Sequence, residues 1–599
     1  MSTTTMNRST TRAALVPDLE SHQAWSGFVR VALALLVLTF VGQWAVEYTR
    51  LRLKMRRNGI PSINSAVGIF DQVIRPLYPH IPYLSPMRQL AFDRPFRKYE
   101  NARSDLIALG QASTPSRLVY ATGSPATVRA IAAATDVFHK PAGSPRYRVG
   151  NVFGLQLISA QNGAEHERHR RVVRVCFGEG FMQYGWDSMA HMWRVMLREE
   201  GLETEQAGDT RVLHDPGEIL VKMTLSVVGA SWFAVDIPWR EPAQEETGPI
   251  MPFADALHIF SGTVPAQLLL PRWFMDYNPF PYMRRLGKAQ RSLVHHIKAE
   301  KATAEQKHKA RLASGAPQEE KKYKDLFGAL VAAKIDQETG TKDQPPQEGL
   351  SDSEIVGNIF SFVMAGHEST AHTLAFALAL LGPRPDLQEQ MHAEVQRALL
   401  LPAEGRDGSP GRLVYKDMSR LPLLLATAYE ALRMKDIAMH FSRIATRDTT
   451  LPYTTWEDDK NGRPVPRERL AHIAAGAWVH MDLAACGLNP FVWPEPESFD
   501  PSRHLRETEV VGADGRPEKK VSVSFENQVG FLLGARQCIG KRFAEVEMVS
   551  FLAHTVLHYR WEVVKRPGET QAQADERAST GREWLTFTPP NFDLRFIRR

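Results

Sequence analysis

At 599 residues the chain exceeds the usual size of one domain, and its composition, 43% hydrophobic and 23% charged, is ordinary for a globular protein. The net charge of +6, from 73 basic and 67 acidic residues, is too mild to argue for nucleic acid, and no long Lys/Arg run supports such a partner. Three separated cysteines (Cys176, Cys486 and Cys538) fit a reducing compartment rather than a disulfide scaffold. Residues 1–24 are polar and rich in Thr and Ser, a short disordered tail. Phe28 to Val46 is then almost continuously apolar, long enough to cross a bilayer core as a helix. Trp25, Trp44 and Tyr48 stand at its ends, and Arg50, Arg52, Lys54, Arg56 and Arg57 follow it. A transmembrane anchor over 25–48 is expected, with the large C-terminal part in the cytosol by the positive-inside rule. A cleaved signal peptide fits less well, because its basic end precedes the apolar run.

From 49 to 93 the chain is punctuated by Pro and Gly and reads as a linker running into one large domain expected over 94–599. Gly163 to Val173, G-A-E-H-E-R-H-R-R-V-V, places His166 and Arg170 one helical turn apart on one face. Residues 178–296 carry several amphipathic helical stretches, with an unusually apolar segment from Pro265 to Phe274. Lys298 to Lys324 is a solvated helix or loop, and Asp336 to Gly349 a surface connection.

A long buried helix is announced by Ser351-Asp-Ser-Glu354, a capping box, and stopped by Gly382-Pro383. From Asp352 to Leu381 it is apolar nearly all round. A polar cluster, A-G-H-E-S-T from Ala365 to Thr370, interrupts it, and polar groups in a buried helix are costly unless paired. His367 and His372 are five residues apart, which turns a helix by about 500° and leaves the rings about 140° apart. They do not form the i, i+4 pair of a zinc hydrolase.

Glu430 and Arg433, in Y-E-A-L-R, face together on a helix, and F-D-P-S-R-H from Phe499 supplies Arg503. Phe531 to Gly540 then reads F-L-L-G-A-R-Q-C-I-G, with helix-forming sequence directly after it. Cys538 would sit just before a helix N-terminus, where the dipole favours a thiolate, a strong axial ligand for haem iron. Gly534 and Gly540 suit a tight turn, and Arg536 a two-pronged contact to a haem carboxylate. The chain ends in an expected hairpin from Thr580 onward.

In this order the motifs resemble those of the cytochrome P450 superfamily of haem-thiolate monooxygenases, in its membrane-anchored, fungal-like form. The loop F-x-x-G-x-R-x-C-x-G matches at Phe531, Gly534, Arg536, Cys538 and Gly540, although Gly530-Phe531-Leu532 stands where the family often has Pro-Phe-Gly. The resemblance implies a mainly helical fold with a smaller β region, preceded by one transmembrane helix. It implies Cys538 as iron ligand, His166, Arg170, Arg443 and Arg536 around the haem carboxylates, and Glu430, Arg433 and Arg503 as a structural network. It gives Glu368 and Ser369 a proton relay, with Thr370 as a further candidate, and has Gly366 loosen the helix beside the iron. Ile437, Ala438, Phe441, Trp584 and Leu585 become substrate-pocket candidates. The implied reaction inserts oxygen from O2 into an apolar terpenoid-, lipid- or polyketide-like molecule, in the manner of secondary metabolism. Electrons would come from NADPH through a separate reductase, or cytochrome b5, docking near Arg536, Lys541 and Arg542. The implied location is the endoplasmic reticulum membrane, single-pass. Two alternatives are a haem-thiolate enzyme that rearranges, dehydrates or reduces without oxygen insertion, and a membrane haem sensor or carrier without turnover.

Overall fold

The computed structural model of the chain describes residues 19–599 apart from 66–93, 112–116, 145–146, 148–150, 152, 205, 234, 241–247, 264–269, 315–325, 340–347, 403–411, 512–516 and 584–585. Helices dominate and sheets are the smaller part, as the sequence predicts. The first helix, α1, is one unbroken element from Leu19 to Arg57. Within Arg30 to Arg57 an 18-residue window has a mean hydropathy of 1.7 and no burial, so the helix is long and apolar enough to cross a membrane.

Both ends of α1 depart from expectation. Residues 19–24, assigned to a disordered tail, are helical, and so are residues 49–57 of the expected linker. No proline interrupts the run, and the basic last turn (Lys54, Arg56, Arg57) suits the negative end of the helix dipole. The helix stops only where Gly59 takes a left-handed φ of +67° and Pro61 follows. The 49–65 segment is also part of the domain. Leu51, Met55 and Ile60 are buried in a cluster with Leu106, Ala108 and Tyr120. Strand β1 (Ser62–Ser65) pairs in parallel with β2 (Leu106–Gln111).

Those strands begin a six-stranded sheet. Its remaining members are β3 (Val119–Thr122), β4 (Phe138–His139), β5 (His440–Ala445) and β6 (Trp478–Asp482), in the order β1-β2-β3-β6-β5-β4. The sheet and α1 share one core, whereas a larger core belongs to the helices. Helices α2 (Ala164–Arg174), α3 (Glu179–Glu199) and α4 (Pro216–Phe233) precede the central helix α5 (Asp352–Leu381). After it come α6 (Pro422–Met434) and α7 (Lys541–His558).

The central helix has the bounds that its sequence predicts. Ser351 accepts from the Glu354 amide while Glu354 accepts from the Ser351 amide, closing the capping box. Such a cap contributes about 1 kcal/mol. Glu354 also receives Arg168 of α2 at 2.6 Å, and Asn358 accepts from the Leu157 amide at 2.8 Å. The start of α5 is thereby fastened to α2 and the loop before it. Along its middle α5 packs against α4, and it also meets α6 and α7. A short C-terminal hairpin, β7 (Arg582–Glu583) with β8 (Phe587–Thr588), reaches back to α5, where Phe587 stacks on Phe376.

Candidate active site

Cys538 lies three residues before the first residue of α7, as its loop predicts. The loop is folded on itself: the Cys538 amide donates to Phe531 O at 2.8 Å and the Gln537 amide to Gly534 O at 3.0 Å. Gly534 has φ +63°, and an added Cβ would stand 3.0 Å from Ala132 O, so a side chain there would be strained. Leu532 occupies the left-handed region at φ +55°, at the position where the resembling loop often has glycine. That conformation costs a branched residue about 1–2 kcal/mol. The Cys538 side chain has an open face, yet the surrounding protein raises its thiol pKa by desolvation. The Gly540 and Lys541 amides, together with the charges of Arg170 and Lys541, pull the other way and favour the thiolate.

Cations gather on one side of this loop. Arg443 of β5 is buried, and burial lowers its pKa. Arg536 is pushed down to about 10 by burial and then by Arg443. His166, which α2 turns inward, is pushed down to about 3 by burial and then by Arg536, Lys140 and Arg170. Among the described residues none of Arg170, Arg443 and Arg536 forms an ion pair with a carboxylate. Buried or half-buried guanidinium groups with no carboxylate ion pair among the described residues suit a ligand carrying carboxylates, and the adjacent thiol suits iron. The residues present therefore fit haem. Arg536 differs from its expected use as a two-pronged clamp. Its Nε and Nη2 both donate to Asn162 Oδ1, at 2.9 and 2.6 Å, and Nη2 also reaches Ala160 O at 2.7 Å. These donors, with Nη1 to Leu157 O at 3.3 Å, fasten the 157–162 loop. Arg170 similarly donates to Gln537 O at 3.1 Å.

In the middle of α5 the burial pattern breaks. Ala365 is exposed and Ser369, one turn on, is half-buried, so this helix face borders open space. The Ser369 hydroxyl donates back to Ala365 O at 2.8 Å. Gly366 has a different function from the one expected. The helix is continuous there, and an added Cβ would meet the Trp232 ring of α4 at 2.5 Å. Gly366 thus permits close helix packing rather than loosening α5. Thr370 also points elsewhere: its hydroxyl donates to the fully buried Glu547 of α7 at 3.0 Å. Glu368 is buried, and desolvation pushes its pKa up to about 7 against the one side-chain donor it has among the described residues, Thr586. Thr586, which also bonds His372 one turn along α5, was not legible as a partner of Glu368, because its hairpin is more than two hundred residues away.

Behind the site, α6 supplies the expected network and one more member. Glu430 accepts from Arg433 Nε and Nη2, both at 2.7 Å, from Arg503 Nε at 3.3 Å and from the Asp500 amide at 2.9 Å. His504 Nε2 joins at 2.9 Å, at a position where the resembling sequences more commonly have an aromatic carbon ring. Burial raises the Glu430 pKa, but these donors, led by Arg433 and His504, bring it to about 2. Of the pocket candidates, Ala438 is exposed and Phe441 half-buried. Ile437 packs in a buried cluster with Phe376, Met439 and Phe587 instead of lining open space. Trp584 and Leu585 lie outside the described residues. A cleft of about 590 Å³ at the cysteine loop is lined by Cys538 and by Arg170, Arg174, Lys520, Lys541 and Arg542, with the carboxylate of Glu545. Arg536, expected on this face, is not in its lining.

The sequence profile of the Cytochrome P450 family matches residues 112–581. The chain is 28% identical to cytochrome P450 monooxygenase 124 of Postia placenta over 529 residues, covering 87% of this chain and 90% of that protein. It is 27% identical to a cytochrome P450 monooxygenase of Arthrobotrys oligospora, covering 88% and 90%. It is 28% identical to mouse leukotriene-B4 omega-hydroxylase 3, covering 72% and 73%. With its cysteine at a helix start, its uncompensated cations and these likenesses, the chain belongs to the cytochrome P450 family of oxygen-incorporating oxidoreductases.

Proposed function

We propose that this chain inserts one oxygen atom from O2 into an apolar small molecule of lipid-, terpenoid- or polyketide-like character. The work would be done at the endoplasmic reticulum membrane, with the large domain in the cytosol. The observation that carries the reading is Cys538 at the start of α7 beside Arg170, Arg443 and Arg536, a cationic cluster without a carboxylate partner among the described residues. Haem bound through Cys538 supplies the oxygen chemistry, its thiolate lending electron density that favours O–O cleavage. The protein's own residues bind, orient and deliver protons. Arg170 and Arg443 hold the carboxylates, His166 stays neutral beside them, and Arg536 adds charge while ordering the loop opposite. Glu368, poised near neutral pH, holds the proton, and the Ser369 hydroxyl on the open helix face passes it on. Phe531, Gly534 and Gly540 shape the cysteine loop. Ala438 and Phe441 supply apolar walls that exclude water.

Electrons would come from NADPH through a separate reductase, or from cytochrome b5, seated on the basic cleft by Lys541 and Arg542. Likeness to a leukotriene-B4 omega-hydroxylase favours the lipid-like class. The test is a product screen by mass spectrometry with added reductase, NADPH and isotopically labelled O2. One labelled oxygen in a lipid-like product is expected. A converted substrate without label, from protein whose reduced carbon monoxide complex has the red-shifted band of thiolate ligation, would overturn oxygen insertion.

A further inference from the structure

We propose that Thr586 and His372 reload Glu368 with its proton through a hydrogen-bonded chain whose direction reverses at each transfer. The inference rests on the proposed role of Glu368. Glu368 and His372 lie one turn apart on α5, and the Thr586 hydroxyl, between β7 and β8, sits between them. It is 3.3 Å from Glu368 Oε2 and 2.9 Å from His372 Nδ1. A hydroxyl has one proton and donates to one neighbour at a time. With Glu368 ionised, Thr586 donates to Oε2, and His372 carries its proton on Nδ1 and donates to Thr586. With Glu368 protonated, Oε2 donates to Thr586, Thr586 donates to Nδ1, and the His372 proton lies on Nε2.

The two states differ by one proton, and the exchange balances. A proton from hydronium binds Nε2, the Nδ1 proton passes to Thr586, and the former Thr586 proton passes to Oε2. Three bonds to hydrogen form and three break, the ring returns to neutral, and the carboxylate becomes a carboxylic acid. The surroundings suit this traffic. His372 is 6% exposed and therefore not sealed from water. Burial pushes its pKa down to about 4, so the imidazolium is transient and the neutral tautomers are the resting forms. The charges acting on it are His367 on its own helix and Arg582 in the hairpin, and both drive a proton off the ring. Glu368 feels burial and Thr586 alone. Thr586 and His372 act through Glu368 and are positioning residues.

The experiment is infrared difference spectroscopy of the full-length ferric protein across pH. The carboxylic C=O band absent from Glu368→Gln reports Glu368, and the imidazole bands absent from His372→Gln report the tautomer. In the unaltered protein the His372 tautomer should switch from Nε2–H to Nδ1–H as the Glu368 band disappears near pH 7. Thr586→Val, which keeps the shape and removes the hydroxyl, should raise the Glu368 midpoint by about one unit and end the tautomer switch. Thr586→Ser should restore both, and Thr586→Ala serves as the deletion if valine prevents folding. An unshifted midpoint in the deletion, or a tautomer indifferent to Glu368, overturns the relay. Peroxide release separates the two readings. If Glu368→Gln stays fully coupled, Glu368 is not the acid and both fall. If Glu368→Gln uncouples while Thr586→Val and His372→Gln do not, the relay alone falls.

Discussion

Glu430 and Glu368 are two carboxylates taken out of water within one helical core, and they end at opposite extremes. Burial raises the pKa of both. Glu430 meets two guanidinium groups, an imidazole and a backbone amide, and settles at about 2. Glu368 meets one hydroxyl and settles at about 7. Burial alone therefore does not decide what a carboxyl group does; the number and charge of its donors does. Saturation makes Glu430 a permanent anion that clamps α6 to the 495–504 segment. Scarcity leaves Glu368 able to exchange a proton at neutral pH.

The largest effect should follow from breaking the saturated member. Glu430→Ala leaves the fully buried Arg433 unpaired and should cost about 3–5 kcal/mol, seen as lost thermal stability and poor haem retention. Wild-type stability in that variant would erase the distinction between the two carboxylates. Glu368→Gln should keep stability and haem content but lose about 10²-fold in product formation, with peroxide released instead. Ser369→Ala should act in the same direction, and Ser369→Thr, restoring the hydroxyl, should stay coupled. His504→Phe removes one donor from Glu430 and should cost about 1–2 kcal/mol in denaturant unfolding without changing coupling.

The finest test is the pH dependence of stability, where the two groups carry opposite signs. The lowered pKa of Glu430 contributes stability that is present above about 4.5 and lost as pH falls through about 2. The raised pKa of Glu368 contributes stability that is present below about 4.5 and lost as pH rises through about 7. Glu368→Gln should flatten only the neutral side of the profile, measured as melting temperature against pH.

The sequence was most informative where function depends on neighbours along the chain. The bounds of α5 followed from Ser351, Glu354 and Gly382, because a cap is a local contract between residues three apart. The placement of Cys538 before α7 followed for the same reason. What escaped was set by distant segments. Nothing near Gly366 in the chain announces Trp232, and nothing near Arg536 announces Asn162. Thr370 and Ser369 are adjacent hydroxyls whose directions differ by the turn of a helix, and only packing against α7 decides that Thr370 serves Glu547. Leu532 held a usable signal: a branched residue at a position the resembling loops often give to glycine marks backbone that folding must force.

The unbroken passage of α1 into the domain has a steric consequence. Val46 closes the apolar run and Leu51 is already buried in the sheet core, five residues later. At 1.5 Å per residue those five residues span about 7.5 Å. With α1 in a bilayer, the body of the enzyme stands closer to the headgroups than the width of any folded protein. No folded partner fits beneath it, so a redox partner would reach it along the membrane surface. An insertion of flexible residues between Val46 and Leu51 would turn a rigid standoff into a leash.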